Sequence, residues 1–202
     1  MKAIEKLSLF EWKDPYELVL ALNPVSDDDW RFLAESRFKK HLEAWIASHF
    51  AVGYSQIFKM PTKVKMVTLE DRTPDAILKA GEIEIPLEIT MVMEPGRPLQ
   101  KEYKDIGKYG RPEVRPIRYP SQKEIESWLV NAMEDKATAV YPNLWLLIYL
   151  NTIGRHQVKS GNLETSTGPW EQVAILGDHG LMLLKGVRCR EWTQYSLEEP
   201  KD

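Results

Sequence analysis

The chain is poor in cysteine, with Cys189 standing alone among 202 residues. One thiol cannot form an intrachain disulfide, so packing must hold the core, and a reducing cytoplasm is the expected compartment. Long apolar runs are missing too. The longest, Leu144–Leu150, falls far below the roughly 20 residues of a membrane helix, so it reads as a buried strand and no membrane partner is expected. The opening MKAIEKLSLFEWKD has acidic residues and no uninterrupted hydrophobic stretch, so it does not read as a secretory signal. The net charge is only −3, and without an overall positive field nucleic acid can be bound only through a local patch. There is no phosphate-binding Gly-Lys loop, no G-x-S-x-G turn and no Cys-x-x-Cys pair, and His41, His49, His156 and His179 lack paired metal-ligand spacing.

What is present supports a folded core. The 43% hydrophobic content and seven tryptophans suffice for one domain over residues 1–202, with an N-terminal extension at 1–25 and a long basic loop at 95–120. A short helix is expected around Tyr16–Leu22, ended by Pro24. Ser26-Asp27-Asp28-Asp29 supplies caps, and Trp30, Leu33, Phe38, Leu42, Trp45 and His49 then follow at helical spacing to about Phe50. YSQIF (54–58) and KVKMVTL (63–69) read as short β pieces.

Asp75–Lys79 is expected as a strand, Lys79-Ala80-Gly81 as a turn, and Glu82–Val92 as an alternating strand. Ile83, Ile85, Leu87 and Ile89 share one face of it; Glu82, Glu84, Pro86, Glu88 and Thr90 share the other. Pro86, lacking an amide donor, favours a sheet edge or bulge. Ser121–Val140 reads as a helix with a Ser121/Glu124 capping box. Asn143–Asn151 reads as a buried strand, and Gln172–Leu176 with Leu181–Lys185 as a final hairpin. The tail after Trp192 is polar and expected to fray.

Two carboxylates stand out. Asp75 follows Pro74 at the head of one strand, and Glu88 opens Glu88-Ile89-Thr90 in the next. Brought together by a hairpin they repel as anions, and a hard divalent cation relieves that repulsion. The alternative is that Asp75 caps a turn and Glu88 lies on a solvated face. The Pro74-Asp75 pair, the Glu88-Ile89-Thr90 triplet and the order of elements resemble the restriction-endonuclease-like, or PD-(D/E)XK, nuclease superfamily. The resemblance implies an α/β fold: a central mixed β-sheet flanked by helices, built as helix, three-strand meander, helix, strand, then a terminal strand or hairpin. It also implies Asp75 and Glu88 as ligands of Mg²⁺ or Mn²⁺ and metal-dependent phosphodiester hydrolysis of nucleic acid, with DNA the expected substrate.

The departure is Thr90, which stands where the superfamily's pattern has lysine and cannot supply positive charge to a phosphate. Some branches of the superfamily take that lysine from the second core helix. Here Lys136 continues the stripe Ile125, Trp128/Leu129 and Ala132/Met133, which turns its stem inward; a lysine snorkelling to solvent is the alternative. The resemblance also implies an acid from the first helix, and Glu35 and Glu43 are both candidates. Between Arg97 and Arg118 seven basic residues, among them Lys101, Lys104, Lys108 and Arg111, face three acidic ones beside Tyr103, Tyr109 and Tyr119. Such a loop suits phosphate contact and base stacking, with a solvated surface loop as the alternative. The rival to a nuclease is a non-catalytic module with an eroded site that binds nucleic acid, a protein partner or a second copy in a homodimer.

Overall fold

The computed structural model describes residues 8–28 (side chains to 22), 38–68, 74–97, 119–137, 143–152, 158–160, 163, 167–177, 180–185 and 191–197. Its described elements in chain order are α1 (Pro15–Asp28), α2 (Lys39–Phe58), β1 (Thr62–Met66), β2 (Ala76–Ala80), β3 (Ile83–Val92), α3 (Gln122–Lys136), β4 (Trp145–Leu150), β5 (Gln172–Gly177), β6 (Gly180–Leu183) and β7 (Thr193–Gln194). The fold is α/β, with one seven-stranded mixed sheet in sequential order β1 to β7 and three helices among the described residues. Strands β1, β2 and β3 form an antiparallel meander, β3–β4 and β4–β5 run parallel, and β6 and β7 close the sheet antiparallel. None of the described helices is long and apolar enough to cross a membrane.

The two faces of the sheet carry separate cores. Side chains alternate along a strand, so Leu78, Leu87, Leu147, Ala174 and Leu181 meet Phe50, Ala47 and Ile46 of α2 on one side. Leu146, Ile148, Val173 and Met182 meet Ile125, Leu129 and Met133 of α3 on the other. Burying each such Leu, Ile or Phe contributes about 1.5–3 kcal/mol. α3 begins as its capping box predicts: Ser121 Oγ accepts from the Glu124 amide, and Glu124 Oε2 accepts from the Ser121 amide at 2.9 Å. Pro86 also sits as expected, on the stretch of β3 before its pairing with β4 begins at Leu87.

Several expectations are corrected. α1 does not stop at Pro24, and Ser26, Asp27 and Asp28 belong to it and not to the start of the next helix. It starts at Asp14-Pro15, where Asp14 Oδ1 accepts from the amides of Tyr16 and Glu17 at 2.8 and 3.3 Å, and Leu18, Val19 and Leu22 hold it in the core. YSQIF is not a strand but the last turn of α2; Tyr54, Ile57 and Phe58 fall at helical spacing and pack against the α2-side core. Within the N-terminal extension, a reading that stands uncorrected, Lys13 pairs with Val64 and Leu9 is buried, covering the edge of β1. The tail is not frayed through residue 197. β7 pairs with β6, Tyr195 is buried, and Ser196 exchanges hydrogen bonds with Gln56.

Candidate active site at the end of the meander

Asp75 lies where the β2–β3 ladder ends. Its amide donates to Leu87 O at 2.9 Å, and its carboxylate Oδ2 then accepts from the Ile89 amide at 2.9 Å. The side chain therefore replaces the backbone acceptor that β2 no longer supplies, and it fixes Asp75 beside Glu88. This local role does not exhaust the carboxylate, since each oxygen carries two lone pairs.

Glu88 is not on a solvated face. It is 8% exposed, points to the α3 side of the sheet, and its Oε1 accepts from Lys136 Nζ at 2.6 Å. The lysine stem of α3 does run inward, and its ammonium does not leave for solvent, although Lys136 keeps 38% side-chain exposure. The second oxygen, Oε2, is buried with no hydrogen-bond partner among the described residues. Burial above all pushes the Glu88 carboxyl above its ordinary value; the Lys136 hydrogen bond and charge pull it down, while the negative charges of Asp75 and Glu43 push it further up.

Of the two acids offered by the first core helix, Glu43 is buried and turned toward this site, and Glu35 lies outside the described residues. Glu43 pairs with Lys39 at 3.4 Å and Lys40 at 2.9 Å. Lys40 Nζ also donates to Asp75 Oδ1 at 3.2 Å, so one ammonium joins two acids from α2 and the meander. Burial works against that ammonium, yet the hydrogen bonds and charges of Glu43 and Asp75 outweigh it and hold its pKa above the ordinary lysine value. The sequence alone does not single out Lys40. The signal it offers is the i,i+3 spacing to Glu43, which is common on solvated helix faces and does not select a site.

The arrangement is an acidic trio, Asp75, Glu88 and Glu43, held by two lysines from opposite sides of the sheet. Among the described residues no group of three or more His, Cys, Asp or Glu is placed to hold a metal ion by itself. Asp75 and Glu88 carry carboxylate oxygens, the ligand type a hard divalent cation takes, and Glu88 Oε2 has no hydrogen-bond partner among the described residues. Thr90 is half-buried two residues beyond Glu88.

Arg97 is not brought to this group. Its guanidinium donates to Asn151 O at 3.5 Å, five residues along β4 from the Leu146 that neighbours Glu88, or roughly 17 Å at about 3.3 Å per residue. Lys101, Lys104, Lys108 and Arg111 lie outside the described residues. The chain matches no family model, no curated protein and no solved structure.

Proposed function

We propose that the chain is a metal-dependent nuclease that hydrolyses phosphodiesters of nucleic acid, DNA first, through Asp75, Glu88 and Lys136. The observation that carries this reading is the Glu88 carboxylate, paired through one oxygen to Lys136 at 2.6 Å and, at the other, buried with no hydrogen-bond partner among the described residues. Such an orphaned oxygen beside a second acid suits a ligand that arrives with charge. The element order, with a three-strand meander, a helix and a parallel fourth strand, supports the same reading.

Asp75 and Glu88 would hold Mg²⁺ or Mn²⁺, which when bound polarises the phosphodiester and makes a coordinated water more acidic. Lys40 and the Ile89 amide hold the two Asp75 oxygens in place. Lys136 supplies the positive charge that Thr90 cannot, from a half-exposed position where a phosphate oxygen can reach it. Glu43 holds Lys40 against Asp75.

The test is cleavage of labelled DNA with and without Mg²⁺ or Mn²⁺, beside calorimetric metal titration. Asp75→Asn keeps an acceptor for Ile89, and Glu88→Gln keeps shape; each should lower the rate about 100-fold or more and weaken metal binding. Lys136→Ala should lose about 10²–10³-fold in rate while still binding metal. Cleavage that persists in both carboxylate variants overturns the assignment. A second reading, a binding module with an eroded site, is favoured by one observation: Lys40 and Lys136 already neutralise the carboxylates without any ligand. It expects neither metal binding nor cleavage from the wild type.

A further inference from the structure

Among the described residues, the core on the α3 side of the sheet is confined to one half of it. The core on that side takes residues from β3 through β6 and none from β1 or β2. Over those two strands the positions on this face are Lys63, which is exposed, and Lys65, Ile77 and Lys79, which are half-buried, while their neighbours Val64, Met66, Ala76, Leu78 and Ala80 are buried toward α2.

Register places these side chains in rows. Lys63 lies beside Lys79, which faces Glu84; Lys65 lies beside Ile77, which faces Pro86. One further pleat along the same face is the row of Asp75 and Glu88. At about 3.4 Å per residue, the Lys65 row is roughly 7 Å from the acids and the Lys63–Lys79 row roughly 14 Å. Lys65 Nζ sits 4.5 Å from the centre of the Trp12 ring, a contact that holds its ammonium over the face. Among the described residues none of these three lysines has an ion-pair partner.

Like charges set side by side on a sheet cost stability, and a polyanion relieves that cost. We propose that the open face of β1 and β2 binds the phosphate backbone of nucleic acid through Lys63, Lys65 and Lys79 and leads it to the Asp75–Glu88 pair. The inference rests on the nuclease reading and adds to it the path of the substrate. A protein chain with an acidic surface is disfavoured because the three lysines form a ladder whose acids, Glu84 and the exposed Glu82 of the β2–β3 turn, lie at its outer edge, a pattern suited to a linear run of charge.

The experiment is fluorescence anisotropy with labelled single-stranded and duplex DNA of about 20 nucleotides, in EDTA so that binding is read without hydrolysis, between about 50 and 200 mM salt. The variant Lys63→Ala/Lys65→Ala/Lys79→Ala should bind at least about tenfold more weakly, and its slope of log affinity against log salt should flatten by about 2–3. Lys63→Glu/Lys79→Glu leaves the Lys65–Trp12 contact in place and should weaken binding at least as much. Lys59→Ala/Lys123→Ala, exposed elsewhere, should stay within about twofold of wild type, which separates a local face from net charge. A wild type that binds and cleaves DNA while the triple variant keeps its affinity and salt slope overturns this face and leaves the nuclease reading intact. Equal losses in the Lys59/Lys123 control overturn it too. A wild type that binds no DNA removes both.

Discussion

A single carboxyl shows the balance of forces at the site. Glu88 is pushed above its ordinary value of 4.5, first by burial, and the Lys136 partner does not cancel that push. The sign of the consequence follows from proton linkage: between 4.5 and its higher folded value the folded chain binds more protons at this site than the unfolded chain. Its contribution to stability is therefore greatest at low pH and is lost as pH rises through that window, levelling off once the folded carboxyl has also ionised. Glu88→Gln removes the titration, and Lys136 is exposed enough to be hydrated alone. The melting temperature of Glu88→Gln minus that of wild type should rise with pH from about 4.5 upward and then flatten. A difference that falls with rising pH would mean that the Lys136 pair outweighs the burial of charge. The same residue explains what sequence could show. Alternation correctly sets Glu88 on the face opposite Leu87 and Ile89, yet it cannot tell that this face, shared with Glu84 and Thr90, is solvated at one end and covered by α3 at the other.

Elements reveal a second kind of strain. α2 ends at Lys59, which has φ 55° and ψ 45°, a left-handed conformation that costs a non-glycine residue about 1–2 kcal/mol. The turn is fixed by the Met60 amide donating to Ser55 O at 3.3 Å and by Ser55 Oγ donating to Met60 O at 2.8 Å. Lys59 is exposed, so glycine loses no packing there. Lys59→Gly should raise unfolding free energy by about 1 kcal/mol after its own chain-entropy cost, measured by denaturant titration; a loss of stability would show that the turn does not impose the conformation.

That helix end was hidden in the sequence because Tyr54-Ser55-Gln56-Ile57-Phe58 fits a short strand as well as a helical turn, and only packing on the α2-side core decides. β3 and α3 were legible because their signals are local, strict alternation in one and a Ser121/Glu124 box in the other. Glu88 and Lys136 follow from those two elements, and Asp75 from the Pro74-Asp75 pair ahead of β2. Lys40 did not, since its meaning depends on Asp75 arriving from 35 residues away in the chain.

At the scale of the whole molecule, the last described segment locks the α2 layer to the sheet. Tyr195 is buried, its hydroxyl lies 3.2 Å from His49 Nδ1, and Gln56 bonds the backbone of Ser196 in both directions. Burial pushes the Tyr195 phenol up, so it remains neutral across the working range of pH. Its ring lies flat against Gly53, where a Cβ would come within 2.9 Å of Tyr195 Cδ1. The glycine is thus required by close approach and not by backbone angle. Gly53→Ala should destabilise by about 1–3 kcal/mol, as overpacking does. Tyr195→Ala should cost about 3–5 kcal/mol, as loss of a buried aromatic does. Combined, the two should cost less than their sum, because the added methyl enters space the ring has left. Strict additivity in a denaturant-based double-mutant cycle would mean that the segment does not seat on α2. Because α2 also carries Lys40 and Glu43, loosening this lock should spread to the site: if the proposed nuclease reading holds, Tyr195→Ala should lower the affinity for Mg²⁺ without altering Asp75 or Glu88, and Gly53→Ala/Tyr195→Ala should recover part of it.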